Sequence, residues 1–120
     1  MMGDLSKDFN KSEFMCKCGC NKFNLSPVLI DALQQLRDYI GQPIIINSAC
    51  RCEKHNVAVG GVKNSLHLRG KAADIRVKGI EPRELARLAA EISDFRNGGI
   101  GTYDSFVHLD VRGKKARWRG

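Results

Sequence analysis

The spacing of apolar residues predicts two helices. A first helix is expected from Ser26-Pro27 to Gly41, because a serine-proline pair is a typical helix start and glycine commonly ends a helix. Its apolar positions recur every three or four residues and are Leu29, Leu33, Leu36 and Ile40. A second helix opens at Glu81-Pro82 and ends at Asn97-Gly98-Gly99, and its apolar side carries Leu85, Leu88, Ala89 and Ile92. Each helix therefore has one side suited to covering a core.

Four further segments have the pattern of β-strands. Residues 43–48 contain a short β-branched apolar run, which suits a buried strand. Residues 72–77 and 106–112 alternate between apolar and polar side chains, as half-buried strands do. Residues 100–103 precede the last of these strands across a tight turn near Asp104-Ser105, which is typical of a hairpin.

Two helices beside mainly hairpin-connected strands predict an α+β fold. We expect a small antiparallel sheet with helices packed on one face. A length of 120 residues suits a single domain, residues 1–120, and leaves no room for a second core.

The alternation also predicts where polar side chains meet. If the strands 72–77 and 106–112 are neighbours, Asp74, His108 and Asp110 point to the same uncovered face of the sheet. His67 lies seven residues before Asp74, and Gly70 allows a tight turn that brings this histidine back over the strand. Two imidazoles and one carboxylate are a usual set for catalytic zinc, although each histidine could instead be a hydrogen-bonded structural residue.

Composition and charge bear on the environment of the chain and on its partners. The chain is 42% apolar and 28% charged and has no apolar run long enough to cross a bilayer, so we expect a soluble protein without membrane insertion. Its first eight residues lack the apolar region of a secretory signal, so synthesis in the cytoplasm is expected. The net charge of +7 favours an anionic partner, and the basic segment 112–119 is expected to be a solvated tail.

The chain contains an odd number of cysteines, so they cannot all pair with one another. The five are Cys16, Cys18, Cys20, Cys50 and Cys52. Their spacing differs from that of a structural zinc site, and reduced thiols are the expectation in the absence of a secretory signal. A structural metal, or a disulfide between the first three cysteines and one of the last two, is the alternative.

One segment resembles a known signature. Residues 65–74, with Ser65, His67, Gly70, Ala72 and Asp74, match the pattern S-x-H-x-x-G-x-A-x-D of the zinc D-alanyl-D-alanine carboxypeptidase family of peptidoglycan peptidases. All five fixed positions agree. The similarity extends over nearly the whole chain, through residues 9–14, 47–51, 55–56 and 106–110. The resemblance implies the fold that this family shares with the Hedgehog signalling domain.

The resemblance also implies roles for particular residues. His67, Asp74 and His108 would be the zinc ligands. Arg51 would bind the scissile carbonyl oxygen or a substrate carboxylate, since a guanidinium is always charged and offers a planar fork of donors, and Ser65 would join it in substrate binding. The structural alternative for Arg51 is a surface salt bridge.

The chain departs from the family at the general base. Better-known members carry an acid three residues before the last histidine, or a histidine two residues before it, but Ser105 and Phe106 occupy these positions here. Asp110 is the favoured base because the pleat of the strand directs it into the site, although it could instead orient a ligand. Asp104 is the other candidate. A domain that catalyses poorly is the third alternative.

These observations predict a zinc peptidase that hydrolyses amide bonds in the peptide stems or cross-links of bacterial peptidoglycan, as a carboxypeptidase or an endopeptidase. We expect a monomer that acts on the cell wall after release, as phage or prophage lysis enzymes do. The alternative is a zinc-stabilised wall-binding module with little turnover. Specific nucleic-acid binding is not expected, because aromatic residues are few and no base-reading motif is evident.

Overall fold

The computed structural model describes Phe9 and residues 26–49 and 70–120. Within these residues it confirms the α+β class, with three helices and a five-stranded sheet. In chain order the elements are α1 (Pro27–Ile40), β1 (Ile45–Ser48), β2 (Ala72–Arg76), α2 (Pro82–Ala89), α3 (Ser93–Arg96), β3 (Gly99–Thr102), β4 (Val107–Asp110) and β5 (Ala116–Arg119). No helix in this part of the chain is both long and apolar enough to span a membrane.

Helix α1 forms where the sequence predicts it. It starts with Pro27 in its first turn and ends at Gly41, whose left-handed conformation (φ 73°) lets its N–H donate to the carbonyl of Arg37. The buried side chains of the helix include Leu29, Leu33 and Leu36, three of the residues that define the predicted apolar side. Local periodicity and end signals were therefore sufficient for this element.

The second predicted helix is two helices in the structure. Helix α2 ends at Ala89, and Ile92 has an extended backbone (φ −89°, ψ 119°) before α3 begins at Ser93. Ile92 is nevertheless buried. The prediction of one continuous helix is wrong because the apolar side chains on both sides of the break face the same core, so their spacing does not reveal it.

The sheet has the strand order β1-β2-β4-β3-β5. The first four strands pair antiparallel, as predicted, whereas β5 pairs parallel with β3. The prediction of a wholly antiparallel sheet is therefore wrong. The segment 112–119, expected to be a tail, contributes strand β5, although its basic residues are exposed. After β4 the chain reverses over residues 111–115 and adds β5 on the far side of β3, which gives β5 the direction of β3.

The two faces of the sheet have different roles. Ala73, Ile75, Val107 and Leu109 are completely buried on the face that packs against the helices. Across the central pair of strands, Ala73 lies opposite Leu109 and Ile75 lies opposite Val107. The two buried pairs therefore lie on either side of Asp74 along the strand. Polar side chains of β2 and β4 therefore emerge on the other face.

Truncation in the core should be costly. Leu33 is fully buried in the centre of α1, so Leu33→Ala should lower the free energy of unfolding by about 2–5 kcal/mol, because it removes buried apolar surface and leaves a cavity. Urea unfolding followed by circular dichroism would measure the change. Val28→Ala, at a position of the same helix that is 48% exposed, should change stability by less than about 0.5 kcal/mol. Equal losses in the two variants would contradict this packing.

Candidate active site

His108 lies between two carboxylates on the polar face of the sheet. Its Nδ1 is 3.1 Å from Oδ1 of Asp74, and its Nε2 is 2.8 Å from Oδ2 of Asp110. Asp74 lies directly opposite His108 on the neighbouring strand, and Asp110 follows two residues later on the same strand. The side chains of Asp74 and His108 are only 10% and 13% exposed, and that of Asp110 is fully buried. The strands therefore bring together the three side chains for which the sequence predicts a common face.

Asp110 is held by several donors. The backbone N–H of Gly99 donates to its Oδ1 at 2.8 Å. Arg112 donates from Nε to Oδ1 at 2.9 Å and from Nη2 to Oδ2 at 2.7 Å. Gly99 has no side chain at a position where a Cβ atom would collide with this carboxylate. Both carboxylate oxygens of Asp110 are therefore fixed, with Oδ2 facing Nε2 of His108.

This arrangement favours one of the two roles considered for Asp110. A buried carboxylate that accepts the Nε2 proton of a histidine fixes the ring orientation and leaves Nδ1 with a lone pair, as occurs beside many metal-binding histidines. A general base, by contrast, must reach the proton of the attacking water. Asp110 as the base stays a prediction, and its contacts favour the orienting role.

The cluster shifts the pKa values of its members in opposite directions. Burial acts to raise the pKa of Asp110, but hydrogen bonds from His108, Arg112 and Gly99 outweigh it and hold the pKa far below its ordinary value. Burial acts to lower the pKa of His108, but hydrogen bonds to Asp110 and Asp74 outweigh it and raise the pKa. Without a metal, the cluster therefore favours an imidazolium between two carboxylates.

The pair formed by Asp74 and His108 has the chemistry and spacing of two metal ligands. When Nε2 carries the proton, a lone pair on Nδ1 faces a carboxylate oxygen across 3.1 Å, and a cation between the two relieves their repulsion. Ligands about 2.0–2.1 Å from a tetrahedral zinc ion lie about 3.3 Å from each other, close to the observed separation. Among the residues that the structure describes, no group of three candidate ligands occurs.

The remaining predicted residues of the site fall into two groups. Outside the described residues lie Arg51, Ser65 and His67, together with the five cysteines at 16, 18, 20, 50 and 52. Inside them is Asp104, which is exposed in the turn between β3 and β4. Gly70 is also described, and its φ of 68° confirms that the entry to β2 needs a left-handed residue there.

Two features beside His108 were not predicted from the sequence. One is the bidentate hold of Arg112 on Asp110, although the alternation of the strand puts both residues on the same face. The other is Trp118, whose ring centroid lies 5.1 Å from that of His108. The signal for a strand was present in the alternation of residues 116–119. It gave no indication of which strand the segment would join.

The chain is similar to known proteins over most of its length. The family model described as Peptidase M15 matches residues 7–110. The probable peptidoglycan L,D-endopeptidase MepK of Haemophilus influenzae is 38% identical over 63 residues, which is 51% of this chain and 32% of that protein. The peptidoglycan L,D-endopeptidase MepK of Escherichia coli K12 is 30% identical over 104 residues, which is 79% of this chain and 55% of that protein. The chain thus spans between a third and a little over half of the length of these relatives.

Acid and alkali should both weaken the metal-free protein through the His108 cluster. Asp110 contributes fully to the free energy of unfolding above the ordinary carboxyl pKa of 3.8. This contribution is lost as the pH falls toward the lowered pKa of Asp110 in the folded protein. His108 contributes fully to the free energy of unfolding below the ordinary imidazole pKa of 6.5. This contribution is lost as the pH rises through the raised pKa of His108 in the folded protein. Urea unfolding with a chelator present should therefore show that the cluster contributes most to the free energy of unfolding between the ordinary pKa values of 3.8 and 6.5.

Two variants distinguish the effect of this cluster on the pH dependence of stability from the effects of other titrating groups. Asp110→Asn should flatten both sides of the pH profile relative to the parent protein, because it removes one carboxylate and weakens the hold on the imidazolium. Asp104→Asn, at an exposed turn, should leave the profile unchanged. A profile for Asp110→Asn that overlays that of the parent would show that the cluster does not couple folding to pH.

Proposed function

Because the chain belongs to the peptidase M15 family, we propose that it is a zinc-dependent peptidase that hydrolyses amide bonds in the peptides of peptidoglycan. One observation carries the proposal. His108 presents Nδ1 to the Asp74 carboxylate at 3.1 Å, while a buried carboxylate holds its other nitrogen, as in a histidine prepared to bind a metal. The substrate class is supported by the two MepK relatives, which are named as peptidoglycan endopeptidases.

Three residues would hold the zinc. Asp74 and His108 fit two positions of a tetrahedral ion by their separation, and the signature over residues 65–74 supports His67 as the third ligand. Zinc with an open coordination position supplies Lewis-acid polarisation of a carbonyl and lowers the pKa of water. The donor set of the chain, two imidazoles and one carboxylate, suits that metal.

The other residues of the site would orient a metal ligand or bind the substrate. Asp110 accepts the proton of Nε2 and so keeps the Nδ1 lone pair of His108 directed toward Asp74. Arg51 and Ser65 would bind the substrate carbonyl or carboxylate, as the family resemblance implies. The residue that accepts the proton of the attacking water stays a prediction, with Asp110 and Asp104 as the candidates.

The relatives favour one of the two modes of action expected from the sequence. Both are named as L,D-endopeptidases, so we infer cleavage within a peptide or cross-link in preference to removal of a terminal residue. Action on the wall after release, a phage or prophage origin and a monomeric state stay predictions. The alternative function is a zinc-stabilised module that binds wall peptides without turnover.

Cleavage should depend on zinc and on His108. We expect purified protein to release new free amino groups from cross-linked muropeptides, detected by an amine-reactive dye and mass spectrometry. A chelator should abolish release, and added zinc should restore it. His108→Ala should lower kcat/KM by at least about 100-fold, because it removes a metal ligand. Lys114→Ala, at an exposed position after β4, is the matched control and should retain full activity.

The outcome distinguishes the two functions. Tight zinc binding without amine release would support the binding module and contradict the peptidase. The masses of the products identify the bond that is cut, and loss of a single terminal residue would contradict endopeptidase action.

The role of Asp110 can be tested without removing its carboxylate. Gly99→Ala places a Cβ atom against that carboxylate and should displace it from Nε2. If Asp110 orients His108, both Gly99→Ala and Asp110→Asn should weaken zinc binding by about 10–100-fold, measured by competition with a fluorescent chelator. If Asp110 is the base, Asp110→Asn should instead lower kcat while zinc affinity stays unchanged. Asp104→Asn tests the second candidate base by the same two measurements.

A further inference from the structure

A row of residues crosses the polar face of the sheet and ends at Trp118. Asp74 lies opposite His108, His108 lies opposite Gly101, and Gly101 lies opposite Trp118. Side chains at directly paired positions emerge on the same face of a sheet. Trp118 therefore shares its face with the candidate zinc ligands, whereas Arg117 and Arg119 alternate to the other face.

Gly101 gives the indole the space to approach the histidine. A Cβ atom at this position would collide with Cε2 and Nε1 of Trp118, so the indole lies directly over the glycine backbone. From there its ring reaches His108, with the two ring centroids 5.1 Å apart and the planes at 48°. A side chain on β3 would separate the two rings, and its absence makes Trp118 a wall of the candidate site.

The indole is held in this position by its neighbours. Its Nε1–H donates to the hydroxyl of Tyr103 at 2.9 Å, and the Tyr103 ring stacks on Phe106 with centroids 4.5 Å apart. The guanidinium of Arg112 lies 5.2 Å from the indole centroid, within the range of a cation–π contact. These contacts fix the orientation of an aromatic ring that is only partly buried.

The position of Trp118 does not suit a purely structural role. The hydrophobic core lies on the opposite face of the sheet and does not include this residue. Aromatic side chains that are rigid, partly exposed and adjacent to reacting groups are effective binding surfaces, because they bury large areas at low cost in conformational entropy. Strand β5 also lies beyond residue 110, where the match to the family ends.

We propose that Trp118 is a substrate-contacting, specificity-determining residue whose indole packs against the aliphatic side chain of a peptidoglycan stem residue bound beside His108. The inference rests on the proposed function, since it takes the substrate from it. Stem peptides consist largely of alanyl residues and a diamino acid with a methylene chain, which offer apolar surface to a flat ring. A wall on this side of His108 would select the residue next to the cleaved bond by the size of its aliphatic part.

Kinetics of matched variants test the proposal. Loss of contact with about two methylene groups corresponds to a roughly tenfold change in affinity, so Trp118→Ala should raise KM for a cross-linked muropeptide by about that factor. The kcat value and zinc affinity should stay within about threefold of the parent. Trp118→Phe, which keeps a flat ring, should recover part of the loss. Arg119→Ala, on the same strand but the other face, is the control and should behave as the parent does.

A second measurement needs no variant. Trp118 is the single tryptophan of the chain, so intrinsic fluorescence reports on this site alone. Titration of the zinc-loaded protein with the stem peptide released by cleavage should give a saturable change in emission. A glycine-substituted peptide that lacks the aliphatic side chain should bind about tenfold more weakly. If Trp118→Ala fails to fold, this titration and the Trp118→Phe variant still decide the question.

The results separate this inference from the proposed function. Unchanged KM in Trp118→Ala with an active parent protein would overturn the role of Trp118 and leave the peptidase intact. A loss confined to zinc affinity would overturn it too, since Trp118 would then only support His108. If the parent cleaves nothing, the peptidase fails, and a saturable fluorescence change would still place the peptide at Trp118. No cleavage and no change in emission would overturn both.

Discussion

The clamp on His108 is the interaction on which the candidate site depends. One carboxylate contacts each nitrogen of the ring, and the two come from different strands. Asp74 and His108 face each other only in the observed register, and a slip of one residue would turn one of them into the core. The buried pairs on either side, such as Ala73 with Leu109, make that slip costly. The hydrophobic core thus fixes the geometry of the polar cluster.

The polar face of β3 makes room for the side chains of its neighbours. Gly99 and Gly101 lie two residues apart on this strand, and both point toward the face that carries the candidate site. The first donates its N–H to Asp110 and leaves space for the carboxylate, and the second leaves space for the indole of Trp118. Glycine weakens a strand, but β3 is paired on both edges, with β4 and β5, which compensates for the weakness.

The family match and the last strand cover different parts of the proposed site. The match to the M15 peptidases covers Asp74, His108 and Asp110. Strand β5 lies outside the match and borders the same cluster with an aromatic ring and a cation. The proposed metal ligands and the proposed recognition surface therefore share one sheet face and lie on different strands.

Much of the fold could be predicted because the relevant signals are local. The end signals of α1, the alternation in β2 and β4 and the turn at Gly70 depend on neighbours within a few residues, and the structure agrees with each. The same alternation placed Asp74, His108 and Asp110 on one face. The site could be predicted to this extent because a strand has only two faces.

Tertiary structure decided the rest, because it depends on which edges and surfaces meet. Residues 116–119 pair with β3 by satisfying backbone groups along the edge of that strand, a long-range choice that their own pattern does not encode. That pairing brought Trp118 to His108. The contact of Gly99 with Asp110 was decided in the same way, since the two residues lie on neighbouring strands that meet only once the sheet has formed. Local alternation set which side chains share a face, and the packing of the sheet set what each of them touches.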